Sequence, residues 1–376
     1  MKRLTGGFDW ILVAAIVPIV LGGLATMTSF SGDGGLFLRQ LIWIVVGSVL
    51  IVVISRSDVR FLRDSRYITI FYAVAISLLV LVLLVGKTVK GSKSWFGFGG
   101  VSFQPTDLVK LLVIAILAKY FSRRHVEIAR IKHLVISALY VLLPVGLILM
   151  QPDFGSAMVI VGLWLGMALV AGISKKHILI VFGAGVVAFA IAWLFIFKPY
   201  QKARIHTFIN PTADIRGSGY NAYQSVIAVG SGGVLGKGLG YGTQSRLNYL
   251  PEYETDFIFA AFAEEWGFFG GLIIVASFCV LLWRLVFHAM RAATNFETLF
   301  CVGFALMIFG HVIVNIGMNI GIMPVTGIPL PFMSYGGSHL LGECIGIGIV
   351  LSMARFERAM HADDINNEFL GYAKQF

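Results

Sequence analysis

Acidic side chains are scarce in this chain. Asp and Glu together number 19 among 376 residues, against 29 Lys and Arg, and charged residues of both signs make up only 13%. With 58% hydrophobic residues there is too little polar surface to cover a water-soluble core, so a soluble globular fold is excluded. Cysteine is scarcer still. Cys279, Cys301 and Cys344 all fall in apolar runs, which excludes a disulfide framework or a cysteine-based metal module and leaves them as packing residues. The eight histidines show no ligand spacing. Nucleotide-binding signals are also missing. The run from Gly230 to Gly242 is rich in glycine, but a dinucleotide fingerprint needs a strand before it and a helix after it. It reads instead as flexible or close-packed backbone near a membrane surface, and no nucleic-acid partner is expected.

What the chain has in abundance is long apolar runs. A membrane-spanning helix needs about 20 residues, and ten runs approach that length: 9–29, 36–54, 67–86, 105–122, 133–150, 156–173, 178–197, 257–287, 297–320 and 339–356. The first lacks a small-x-small cleavage site and is followed at once by another span, so it reads as a true helix rather than a signal peptide. The fold expected is an all-α polytopic membrane protein of about ten transmembrane helices. It forms a single domain over 1–376, with one large outer loop at 198–255.

Basic residues orient the bundle, because cytoplasmic connections carry an excess of Lys and Arg. They gather in every second connection, among them Lys2 and Arg3, Arg56 to Arg66, Arg123 to Lys132, and Lys175 and Lys176. The alternate connections 30–35, 151–155 and 321–338 carry none. Both termini are therefore expected on the cytoplasmic side. Two outer segments depart from the rule. Loop 87–104 holds Lys87, Lys90 and Lys93, and loop 198–255 holds Lys198, Lys202, Arg204, Arg216, Lys237 and Arg246. Long loops cross regardless of charge; the other reading is an anion site suited to phosphate or pyrophosphate.

The few acids are unevenly placed. Glu252, Glu254, Asp256, Glu264 and Glu265 crowd into one stretch where the large loop meets an apolar run. A carboxylate there costs free energy unless it is hydrated, paired or used. Asp256 reads either as a helix cap or as a general base. Glu264 and Glu265 are expected to hold the helix within the bundle. The other outer helix starts are polar as well: Phe103-Gln-Pro-Thr-Asp-Leu-Val-Lys110, Met150-Gln-Pro-Asp-Phe-Gly155 and the run from Thr326 to Ser338. One account is capping; the other is a polar cavity that would favour an anion if these helices converge. Asp107 and Lys110, three residues apart, share a helix face and are expected to pair.

Taken in order, these motifs resemble the SEDS proteins (shape, elongation, division and sporulation), within them the RodA branch. The resemblance covers nearly the whole chain and rests on Gly91-Ser-Lys-Ser-Trp95, Gln104-Pro-Thr-Asp107 with Lys110, Gln151-Pro-Asp-Phe-Gly155, the run Leu250 to Ala260 with Glu264 and Glu265, Thr326 to Phe332, and Ser334-Tyr-Gly-Gly-Ser338. It implies a peptidoglycan glycosyltransferase with a GT-C-like helical bundle in the bacterial cytoplasmic membrane. Such an enzyme polymerises lipid II, an undecaprenyl-pyrophosphate-linked disaccharide-pentapeptide, on the outer face. It works with a class B penicillin-binding protein, the transpeptidase that cross-links the new strand. The resemblance places the catalytic aspartate at Asp256 and substrate-binding roles at Gln104, Asp107, Lys110, Asp153, Trp95 and Arg204. It implies no firm cofactor and leaves room for a divalent cation, Mg or Mn. Asp107 and Glu254 depart from the Glu and the His or Gln usual in the family, and Ser94 stands where relatives often have Arg. A lipid-linked precursor flippase is the alternative reading, and a scaffold for the transpeptidase a more distant one.

Overall fold

Each of the ten apolar runs folds as a helix. The computed structural model describes residues 8–30, 35–89, 92–98, 101–123, 131–197, 199–210, 219–247 and 249–373. The sequence-assigned basic residues Lys2, Arg3, Lys90, Arg124, Arg130, Lys198 and Arg216, and Gly91 of the first motif, lie outside them. The first three helices are α1 (Trp10–Phe30), α2 (Gly35–Arg56) and α3 (Ser65–Val85). After a small sheet come α4 (Pro105–Ser122), α5 (Ile131–Met150), α6 (Phe154–Val170) and α7 (Lys175–Ile191). The large loop carries three short helices, α8 (Pro199–Ile209), α9 (Tyr220–Ser231) and α10 (Thr243–Arg246). The chain closes with α11 (Ile258–Arg291), α12 (Asn295–Asn319) and α13 (Gly337–Ala373). Among the described residues, eight helices are long and apolar enough to cross a membrane. The other two are α6, which is shorter, and α4, which carries Asp107, Lys110 and Lys119.

The helical bundle expected from the sequence carries one small sheet. Residues 87–103 form a three-stranded antiparallel sheet, β1 (Lys87–Val89), β2 (Ser92–Phe98) and β3 (Val101–Phe103), in the order β1-β2-β3. The aromatic residues of Ser-Lys-Ser-Trp-Phe-Gly-Phe favour a strand. β2 and β3 pair with Phe98 opposite Val101 and Phe96 opposite Phe103.

α12 sits at the centre, packed against α4, α6 and α11, while α2 lies against α13 and α1 against α11. At the end of the bundle that includes the N-terminus of α1, Asp9 caps that helix through the Ile11 and Leu12 amides. Its other oxygen accepts from Arg284 (2.6 Å) and lies 2.7 Å from His288, both on α11. Asp9→Asn should leave Arg284 buried without its anion and destabilise the protein by about 3–5 kcal/mol. Thermal unfolding in detergent reads this, and an unchanged melting temperature would speak against the ion pair as a fastener of α1 to α11.

The glycine-rich run is close-packed backbone. α11 breaks its helical geometry at Gly267 (φ 64°, ψ −161°). The loop supplies the hydrogen bonds that the break leaves open. Phe268 N–H donates to Gly233 O (2.9 Å), while Lys237 N–H and Gly238 N–H donate to Glu264 O and Glu265 O (3.0 Å each). A Cβ at Gly236 would stand 2.0 Å from Glu265 O, and one at Gly267 2.3 Å from Gly236 N. Glu264 and Glu265 therefore hold this loop on α11, a more specific task than keeping the helix in the bundle. Glu264 Oε1 takes Lys237 Nζ (2.7 Å), Thr243 Oγ1 (3.1 Å) and Gln244 N (3.1 Å), and Glu265 Oε1 takes Gly240 N (2.6 Å). Gly267→Ala combines a disfavoured backbone with a direct clash and should cost at least about 1–3 kcal/mol. A lowered melting temperature with loop cleavage by protease is the expected outcome; wild-type protease resistance would contradict it.

Candidate active site

Asp256 occupies the last turn before α11, not its first helical residue. The turn is held from three sides. Asn315 Nδ2 and Asn319 Nδ2, one turn apart on α12, both donate to the Asp256 carbonyl oxygen (2.9 and 3.1 Å). Asn319 Oδ1 accepts from Ala260 N–H (3.1 Å), one of the amides that a helix start leaves without an internal partner. On the other side Ser334 Oγ donates to Thr255 O (2.7 Å) and Tyr335 N–H to Glu254 O (2.8 Å). Asn315 also donates to Ile328 O (2.8 Å), which binds segment 320–328 into the same knot. Gly327 lies so close that a Cβ there would stand 3.4 Å from Asp256 Oδ2. The carboxylate is half-buried. Glu252 and Phe332, in the two loops that flank it, have left-handed backbone (φ 60° and 58°), a cost that surrounding structure must offset. Burial, reinforced by the Glu254 carboxylate, keeps the nearby Tyr253 phenol above its ordinary pKa, so it is a neutral hydrogen-bonding group at physiological pH.

A second polar cluster lies deeper in the bundle. The expected pair forms: Lys110 Nζ is 3.2 Å from Asp107 Oδ1, with both side chains almost wholly buried. Asp107 also accepts from Ser338 Oγ (3.1 Å) and meets His339 Nδ1 (3.2 Å). Lys110 is 3.3 Å from His311 Nε2. His311, Asn315 and Asn319 recur every four residues on one face of α12. The deep cluster and the Asp256 turn are therefore joined along a single helix face, one to two turns apart, or about 6–12 Å.

The other assigned residues divide. Gln104, just before α4, donates to Asp153 Oδ2 (3.1 Å), and Asp153 caps α6 through Ser156 N–H (3.0 Å). A Cβ on Gly155 would press on Ile328 and on Thr326 O, so the start of α6 leans on the segment that flanks Asp256. Arg204 is exposed on α8 and lines a cavity of about 240 Å³ with Thr207, Tyr223, Val226, Gly321 and Val325. Val325 in turn packs on the cluster that contains Phe257. Arg204 and Asp256 thus border the same segment. Trp95 is half-buried on β2 and joins none of these bonds among the described residues; its sheet is tied to the site by Ser92 Oγ donating to Gln151 O (2.6 Å). Around Asp256 no further His, Cys or carboxylate ligands converge among the described residues. An Mg or Mn ion there would draw its shell from one carboxylate, water and substrate phosphate.

The residues that sequence reasoning missed are Asn315, Asn319, His311, His339 and Glu343. The first three carry a signal, since a polar residue every fourth position on one face of an apolar span is costly unless used.

Fold and site together define a polytopic helical membrane protein in which the loop that carries Asp256 is bonded to α12 and to the segment that leads into α13. The chain belongs to the FtsW/RodA/SpoVE family of cell cycle proteins, whose family model matches residues 8–359. It is 37% identical to the peptidoglycan glycosyltransferase MrdB of Escherichia coli over 346 residues, 91% of this chain and 92% of that one. It is 38% identical to the stage V sporulation protein E of Bacillus subtilis over 345 residues, 90% and 93% of the two chains. Among solved structures it resembles the Thermus thermophilus rod shape determining protein RodA, with a TM-score of 0.70, 32% identity and 94% and 98% of the two chains covered. A chain solved in work on polymerisation and crosslinking by a peptidoglycan synthase complex gives a TM-score of 0.81 at 32% identity, with 93% and 98% covered. The resemblance inferred from the motifs is borne out across almost their whole length.

Proposed function

We propose that this chain is a peptidoglycan glycosyltransferase that polymerises lipid II at the outer face of the bacterial cytoplasmic membrane during cell elongation, with Asp256 as general base. The observation that carries this reading is the turn at 251–257. Two buried asparagines fix the backbone of a half-buried aspartate whose carboxylate lies beside Gly327. Family membership supports the activity, and the alternation of basic connections supports an outward-facing site with both termini inside.

In this reaction the hydroxyl of an acceptor sugar attacks the anomeric carbon of a donor. The new C–O bond forms as the bond to the lipid pyrophosphate breaks, and Asp256 takes the hydroxyl proton. Direct attack on an α-linked donor gives a β-linkage. The leaving pyrophosphate gathers negative charge, which fixed cations stabilise. Arg204, exposed beside its cavity, is suited to that contact. Lys110 is buried and already bonded to Asp107, so its part is to set the field and shape of the cluster beneath the site. Gln104 and Asp153 hold the start of α6. Trp95 lies on a sheet at the same end and is assigned to the sugar portion of the substrate. A class B penicillin-binding protein is the proposed partner, in keeping with the synthase complex to which the fold is similar.

A flippase would need two sides; a polymerase does not. Protein purified in detergent and given lipid II should make glycan polymer. If it makes none, alone or with its transpeptidase, while the same preparation moves lipid II across reconstituted vesicles, the transport reading replaces this one.

A further inference from the structure

The deep cluster contains three ligand atoms that the hydrogen-bond network does not use. Glu343 Oε2 accepts Phe332 N–H (2.8 Å), which fixes that carboxylate, but its Oε1 makes no hydrogen bond. Oε1 lies 2.9 Å from His339 Nε2, where the two face each other as an ion pair without hydrogen-bond geometry. His311 Nδ1 is the third such atom. The three side chains are 0%, 8% and 1% exposed for His311, His339 and Glu343. One ligand atom from each lies within 4.8 Å of the others. A buried polar atom left unpaired is costly, so His311 Nδ1, beside a second imidazole and a carboxylate, calls for an occupant.

We propose that His311, His339 and Glu343 supply three ligands to a divalent transition-metal ion of the zinc type, with water in the fourth position. Two imidazole nitrogens and one carboxylate oxygen suit Zn²⁺ at about 2.0–2.2 Å, whereas Mg²⁺ asks for an oxygen shell that this cluster does not offer. Ligands at that distance stand about 3.4 Å apart around a tetrahedral ion, so closure needs side-chain movements of no more than about 1.5 Å. The surroundings fit. His339 Nδ1 faces Asp107 Oδ1 at 3.2 Å, the carboxylate that orients a metal-bound imidazole. His339 and Glu343 stand four residues apart on one face of α13, and His311 comes from α12. With the ion on His311 Nδ1, the ring proton sits on Nε2, and Lys110 donates to Asp107, already 3.2 Å away. Asp107 and Glu343 supply two negative charges to set against the ion and Lys110. The bond pins α12 to α13 one turn below Asn315 and two turns below Asn319, the residues that hold the Asp256 turn. The ion would take no part in the sugar chemistry.

The test uses full-length protein in detergent, stripped with chelator, equilibrated with Zn²⁺ and desalted, with metal measured by mass spectrometry. The wild type should retain about one Zn²⁺ per chain. His339→Ala and Glu343→Gln should each weaken retention by at least about 10–100-fold, and excess Mg²⁺ should not displace the ion. Equal Zn²⁺ in wild type and both variants overturns the proposal, as does displacement by Mg²⁺. Should either variant fail to fold, Co²⁺ titration of the wild type decides alone: an intense visible band marks a four-coordinate site, and the faint spectrum of hydrated Co²⁺ overturns it. None of these readouts uses polymerisation, so this inference and the proposed activity stand or fall separately.

Discussion

Asp256→Asn is expected to lower polymerisation by roughly 10²–10⁴-fold, the range that a general base contributes. The substitution is nearly isosteric, and the two asparagines of α12 grip the backbone carbonyl of residue 256 rather than its carboxylate. The fold should therefore survive, with a melting temperature close to wild type. Lipid II binding should change only a few-fold, because the lost group acts on a proton in the transition state and not on the bound ground state. The loss then falls in kcat. A variant that bound lipid II poorly but turned over normally would make Asp256 a binding residue. One that failed to fold would make it a cap.

The second large effect is on stability. Lys110→Met removes an ammonium that is 3% exposed and leaves the Asp107 carboxylate with His339 and Ser338 for company. Breaking a buried pair by deleting one partner costs about 3–5 kcal/mol. Deleting both charges together, as Asp107→Asn with Lys110→Met, should cost less than the sum of the two single variants, since no charge is then stranded. Thermal unfolding of the three variants gives the comparison. Strict additivity would mean that the two groups do not sense each other and that the 3.2 Å contact carries no energy.

Much of this architecture is written in local sequence. Ten spans can be read because each apolar run approaches the length that crosses a bilayer. The Asp107–Lys110 pair can be read because three residues of helix bring two side chains to one face. Asp256 stands out because a carboxylate at the lip of a span is expensive. What stays hidden depends on distant partners. Asp9 meets Arg284 and His288 some 275 and 279 residues away. Glu264 and Glu265 look like helix charges until the glycine-rich loop is folded over Gly267. His311 shows no ligand pattern in the sequence because its companions lie on a different helix, 28 and 32 residues on. The strands at 87–103 hide in a basic segment that reads as a loop, with alternation too brief to assert itself.

The central claim is that Asp256 removes the proton in the chemical step. The most direct measurement is the pH–rate profile of lipid II polymerisation under single-turnover conditions, for the wild type and Asp256→Asn side by side. The wild-type rate should fall on the acid side as the base is protonated, and the residual rate of the variant should lack that limb. An acid limb that persists unchanged in Asp256→Asn, or a variant that polymerises at the wild-type rate, would contradict the account.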